Sequence, residues 1–149
     1  MSLRWDWKRF NELTAEEVYT ILCVRQQVFV LEQECLYLDA DGKDRQSFHL
    51  MGFKDEELVA YARIVEPGVS YSEVSIGRIL SSDKVRGTGA GKELMEQALS
   101  QIAEHYGNVP IRISAQTYLL KFYQKFGFES TGKEYFEDEI PHTEMIRGK

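Results

Sequence analysis

Seven residues, Arg86-Gly87-Thr88-Gly89-Ala90-Gly91-Lys92, set three glycines at alternate positions directly ahead of a run that reads as a helix. The chemistry such a segment offers is anion binding. Backbone N–H groups entering a helix have no intrahelical acceptor, the helix dipole favours negative charge there, and glycines let the backbone approach a ligand. The expected ligand class is a phosphate or pyrophosphate. Two nucleotide loops fail on register. A Walker loop needs a glycine five residues before its Gly-Lys pair and Ser or Thr after it, and here Arg86 and Glu93 hold those positions. A dinucleotide fingerprint needs glycine where Lys92 stands and an acid at the end of the next strand, where "IRISAQ" has none.

Other candidate chemistry is thinner. Asp39, Asp41 and Asp44 fall close together in "DADGKD", but an EF-hand counted from Asp39 needs Gly and Glu where Asp44 and Leu50 stand, so no metal is predicted. Cys23 and Cys35 lack Cys-x-x-Cys spacing and suggest neither a disulfide framework nor a zinc site. The formal charge of −6 argues against nucleic acid or an anionic membrane, which require clustered Lys and Arg, and is compatible with a cationic acceptor. No apolar run approaches the ~20 residues of a membrane span, and the N-terminus lacks the apolar core of a signal peptide, so a cytoplasmic location is expected.

The elements that must position the glycine loop follow from periodicity. Residues 3–10 alternate as a strand. Thr14 and Glu17 have capping-box spacing, and Val18, Ile21, Leu22 and Val28 mark a helix ending near Phe29. A long polar loop follows, with room for a short helix. "HLMGF", "LVAYARIV" and "EVSIGRIL" then read as three strands, the first two joined by the turn "KDEE". Leu94, Ala98, Leu99 and Ile102 form one face of a long helix that Gly107 stops. "VPIRISA" is a strand; Leu119, Phe122, Tyr123 and Phe126 stripe a further helix before Gly127; "ESTGKEYF" and "HTEMIR" close the chain as strands. At 149 residues with 43% apolar content, this order predicts one domain, residues 1–149, of the α/β class: a mixed, mostly antiparallel central sheet flanked by helices.

Arg86-x-x-Gly89-x-Gly91, after a strand and opening a helix, resembles the pyrophosphate loop of the GNAT superfamily of acyl-CoA-dependent N-acyltransferases. "FYQKFGF" resembles that superfamily's helix followed by Gly-Phe, and "RQQVFVLEQECLYLDADGKD", "LVAYARIV", "IGRILSSDKVRG" and "IPHTEM" resemble its bacterial ElaA-like branch. The resemblance implies the GNAT fold and an acetyltransferase that moves an acetyl group from acetyl-CoA, as co-substrate, to a primary amine on a small molecule or peptide. A catalytically silent acyl-CoA-binding or sensing module shares the same loop. Neither a metal, nucleic acid nor a membrane is implied, and an exposed edge strand offers a homodimer contact.

The same resemblance assigns residues. Backbone groups of Ile79, Leu80 and Ser81, on a fourth strand splayed from the fifth, would grip the pantetheine, with Ile79 or Leu80 polarising the thioester carbonyl. Arg86, Gly87, Thr88, Gly89, Ala90, Gly91 and Lys92 would hold the pyrophosphate. Tyr123 would be the general acid, although its place on an apolar stripe also suits a core residue. Some superfamily members carry a basic carboxylate on the fourth strand; here that stretch has Arg78 and no acid. Glu32, His49 and His142 are the candidate bases from the acceptor side. A local cap or ion pair for Glu32, structural hydrogen bonding for either histidine, and the absence of a dedicated base remain open beside that reading.

Overall fold

A computed structural model describes residues 3–148. The chain runs β1 (Arg4–Arg9), α1 (Ala15–Arg25), a π-helical extension (Gln26–Glu32), β2 (Ser47–Lys54), β3 (Glu57–Val65), β4 (Ser75–Ser81), α2 (Ala90–Tyr106), β5 (Ile111–Gln116), α3 (Leu120–Gln124), β6 (Glu129–Glu137) and β7 (Ile140–Arg147), with short 3-10 turns between. The strands make two antiparallel sheets, ordered β1-β2-β3-β4 and β5-β7-β6. A single parallel bridge, Val74 to Ile111, joins them at the start of β4 and β5. Beyond it the two strands part, which is the splay the resemblance implies.

The first helix starts as the sequence requires. Thr14 Oγ1 accepts from the Glu17 N–H at 3.0 Å and Glu17 Oε1 accepts from the Thr14 N–H at 2.9 Å, closing a capping box worth about 1 kcal/mol. Its end is different: the chain continues past Phe29 to Glu32 in π form, and such a bulge turns residues off the α-helical stripe. Val28 and Phe29 thereby pack with Ile21 on Met51, Tyr61 and Leu80, covering one face of the first sheet. The other face takes Leu94, Met95, Ala98 and Ile102 of α2, against Leu50, Ala60, Ala62, Ile64 and Ile76. Covered on both faces, β3 is buried from Leu58 to Val65.

The segment expected as a polar loop is instead tied down by ions. Asp39, Asp41 and Asp44 meet Arg25 of α1, Arg63 of β3 and Arg78 of β4, with Arg25 Nε to Asp39 Oδ2 at 2.7 Å and Arg78 Nε to Asp39 Oδ1 at 2.8 Å. Arg25 and Asp39 are fully buried, so opening the loop would leave charges inside the protein without their partners. These acids are therefore neither a solvated surface nor a cationic lure.

Candidate active site

The glycine loop connects β4 to α2 in a strained form. Gly87 and Gly89 have φ of +81° and +89°, a region that a Cβ disfavours by roughly 1–2 kcal/mol. Empty space surrounds both positions, so the glycines are there for the backbone angle. Gly91 is the reverse case: its φ is ordinary, and it lines a cavity of about 520 Å³. The first internal bond of α2 is from the Glu93 N–H to the Gly89 carbonyl at 3.1 Å, which leaves the N–H groups of Ala90, Gly91 and Lys92 without an intrahelical acceptor. Thr88 spends its hydroxyl on the Val85 carbonyl, 2.5 Å away, stabilising the turn itself.

Arg86 reaches across this cavity. Its Nε donates to the Ser81 carbonyl at 3.0 Å, and its Nη2 lies 2.6 Å from Glu32 Oε1 at the end of the π-helix. Glu32 thus stands on the loop side of the cleft, paired to a loop cation, and corrects the expectation that it faces the acceptor. The π turn, which periodicity alone does not reveal, swings it there.

The fourth strand carries a bulge that sequence reading missed. Arg63 pairs with Gly77 and Tyr61 with Leu80, so Arg78 and Ile79 together stand opposite Ala62 alone, one residue more on the β4 side. Arg78 has φ of +48°, rare for a residue with a Cβ. Ile79 has no partner in the β3 ladder, on the strand that faces the diverging β5 along its other edge. Leu80 and Ser81 return to register opposite Tyr61 and Ala60. Arg78 turns its side chain to Asp39 and Asp41, which explains why this strand holds a cation where an acid was sought.

A second cavity, about 460 Å³, lies on the other side of the bulge and is shared between the walls of both sheets. The two cavities have Phe29, Gln33, Ile79, Gln116, Leu119 and Tyr123 in common. Tyr123 sits at that junction, 5% exposed, and burial raises the pKa of its hydroxyl, with Tyr118 adding to the effect. It is both a core residue beside Phe122 and Phe128 and a lining residue of each cavity.

The histidines separate. His49 is 1% exposed, with Nδ1 2.6 Å from the Tyr61 hydroxyl and Nε2 2.9 Å from the Asp44 carbonyl. Burial lowers its pKa, and it lines neither of the two cavities, so its part is structural. His142 lines the second cavity. Its Nδ1 is 2.7 Å from the Ile140 carbonyl, an acceptor, so this nitrogen carries a proton. Nε2 lies 3.2 Å from Glu137 Oε2, so each ring nitrogen faces an oxygen acceptor. Glu137 also receives Ser114 Oγ at 3.4 Å, and Tyr135 donates to Ser114. Glu137, Gln33 and Gln116 escaped the sequence reading; the first lies in "EYFEDE", whose acids look like surface until β6 and β7 pair and set Tyr135 opposite His142.

Comparison with known proteins fits this geometry. Residues 11–147 match the family described as Acetyltransferase (GNAT) domain. A UPF0039 protein of Synechocystis sp. is 46% identical over 147 residues, covering 98% of this chain and 96% of the relative. Protein ElaA of Escherichia coli is 40% identical over 147 residues, covering 97% and 96%. Its crystal structure superimposes with a TM-score of 0.92 at 38% identity over 98% of this chain and 99% of the other. An acyl-CoA N-acyltransferase from Pseudomonas aeruginosa gives a TM-score of 0.94 at 40% identity, covering 99% and 100%. With its parted sheets, its glycine loop and these relatives, the chain belongs to the GNAT acetyltransferase family.

Proposed function

We propose that the chain transfers an acetyl group from acetyl-CoA to a primary amine by direct attack in a ternary complex. The observation that carries this reading is the meeting of two cavities at Ile79 and Tyr123, where the sheets part. One cavity has a helix N-terminus and a cation at its far end, and the other has a hydrogen-bonded histidine. The fit to a pyrophosphate rests on Gly91: a Cβ there would meet only Phe122 Cζ, at 3.8 Å, and would otherwise project into the first cavity. Arg86 and the loop N–H groups hold the anion, and the backbone of Ile79, Leu80 and Ser81 holds the pantetheine arm.

The chemistry then divides among the chain's own groups. The reaction forms a C–N bond, breaks the C–S bond, and moves one proton from the amine. The His142–Glu137 pair, with Nε2 and Oε2 3.2 Å apart, takes that proton and shares it between nitrogen and oxygen. The N–H of Ile79 or Leu80 stabilises charge on the carbonyl oxygen, a role that the absence of Ile79 from the β3 ladder supports. Tyr123 serves the departing sulfur. A thiol has a pKa of ~8.5, and burial lifts Tyr123 above the ~10 of an ordinary phenol. Its proton therefore stays on oxygen at equilibrium and is shared with the thiolate as a hydrogen bond while the C–S bond breaks.

Tyr123→Phe tests the assignment. Expected are acetyl-CoA affinity within about twofold of the parent and a turnover reduced roughly 100-fold, measured by thiol release under single-turnover conditions. Unchanged single-turnover rates would remove Tyr123 from the reaction. Saturable acetyl-CoA binding with no thiol release for any amine would favour a silent binding module.

A further inference from the structure

The walls of the second cavity carry opposite charge. The first sheet and the loop before it supply Lys43, Arg63 and Arg78, whereas the hairpin of the second sheet supplies Glu137, Asp138 and His142. Carboxylates on the cationic wall are already spoken for. Asp41 receives Arg63 Nη1 and Nη2, each at 2.8 Å, and lies 3.5 Å from Arg78 Nη2. Burial would raise the Asp41 carboxyl, but Arg63 outweighs it and holds the group well below the usual carboxylate range. Asp39 binds Arg25 and Arg78, and Asp44 binds Arg25 and Arg63. Three arginines and three aspartates cancel, and Lys43 is the charge left over.

Among the described residues Lys43 engages only its backbone, donating its N–H to Asp41 and accepting Ser47 Oγ on its carbonyl. Opposite it, Asp138 also engages only its backbone, through the Cys35 thiol on its carbonyl. One wall thus presents a spare ammonium and the other a spare carboxylate beside the His142–Glu137 pair.

Resting on the acyl-transfer reading above, we infer that the acceptor is an amine that also carries an anionic group, of about the size of an amino acid or dipeptide. Its ammonium enters against Asp138 and Glu137, loses one proton to solvent through the His142–Glu137 pair before attack and a second to the departing thiolate after it, and its anionic group pairs with Lys43 across the cavity. A volume of about 460 Å³ accommodates such a molecule. A diamine of the same length would set its second cation against Lys43, and a neutral carboxamide would leave that ammonium unpaired.

The test compares α-amino acids with their carboxamides and with a diamine of matched length as acceptors in the acetyl-CoA thiol-release assay. A hydrogen bond between charged partners is worth roughly tenfold or more in kcat/KM, so the free acids should exceed their amides by at least that ratio. Lys43→Glu should collapse the ratio toward one, and Lys43→Gln should fall between. Calorimetric binding of an N-acetyl amino acid and its amide to the CoA-saturated protein repeats the comparison without turnover. Equal kcat/KM for acids and amides, or a preference for the diamine, overturns the inference and leaves acyl transfer standing. Lys43-dependent binding of the N-acetyl acid, with no thiol release for any amine, leaves Lys43 as an anion-binding group but overturns acyl transfer and, with it, the acceptor inference. Neither binding nor turnover of the acids would overturn it.

Discussion

Glu32→Gln separates two roles for a carboxylate that stands beside the glycine loop. Its Oε1 lies 2.6 Å from Arg86 Nη2, and both side chains are well exposed, at 35% and 44%. Exposed pairs of this kind contribute about 0.2–1 kcal/mol, so their removal releases Arg86 for an incoming anion at little cost to the fold. If Arg86 binds the pyrophosphate, Glu32 competes for the same guanidinium. Its neutralisation should tighten CoA binding by up to about fivefold, the factor that ~1 kcal/mol supplies at 25 °C. Isothermal calorimetry with CoA at two ionic strengths reads this directly, and the gain over the parent should shrink as salt screens both charges. Weaker CoA binding in Glu32→Gln would refute the competition. Unchanged CoA binding with abolished turnover would refute it differently, by restoring Glu32 as the base in place of His142.

The glycines make opposed predictions. Gly89→Ala, at φ +89°, should lower the unfolding free energy by about 1–2 kcal/mol, whereas Gly91→Ala should leave the melting temperature near its parent value and weaken CoA binding through its Cβ in the cavity. Asp39→Asn removes one of the two carboxylates paired with the fully buried Arg25, which keeps Asp44, and should destabilise by about 1.5–3 kcal/mol in urea titration, more than any exposed pair. Stability should also fall with acid. Burial alone would raise the Asp44 carboxyl, but Arg25 outweighs it, as Arg63 does for Asp41, and burial lowers the pKa of His49. Each folded pKa is depressed, so each contribution is full above the unfolded value and is lost as pH drops. The melting temperature should decline first below about pH 6.5, where unfolded histidine gains its proton, and again below about pH 4.

Periodicity and turn chemistry carried the element order, because each strand and helix buries a face that its own residues announce. Thr14 with Glu17, Gly107 after α2, and the apolar run of β3 are local signals, and the structure uses each of them. What escaped is set by contacts between distant segments. The bulge at Arg78 exists because β3 and β4 differ by one residue in register, which neither strand records alone. The loop Asp39–Asp44 looked solvated because its three arginine partners lie in three other elements. Glu32 and His49 were placed by residue type at a site that the π turn and the burial of His49 deny them, whereas His142 and Tyr123 do line the cleft.

The single bridge between Val74 and Ile111 leaves this molecule with four sheet edges, two outside and two facing each other. The outer strands are blunted by charge: β1 carries Arg4, Asp6, Lys8 and Arg9, and β6 carries Glu129, Lys133, Glu134 and Glu137. Such charges discourage another chain from adding a strand. The inner edges carry one charge each, Arg78 and Arg112, and both are already paired to acids within the protein. Beyond Val74, β4 offers backbone groups that β5 does not pair, an edge of the kind that another strand can add to. Under the acyl-transfer reading, a pantetheine arm lying along that edge would act as a temporary strand, so the donor would also shield the chain from self-association.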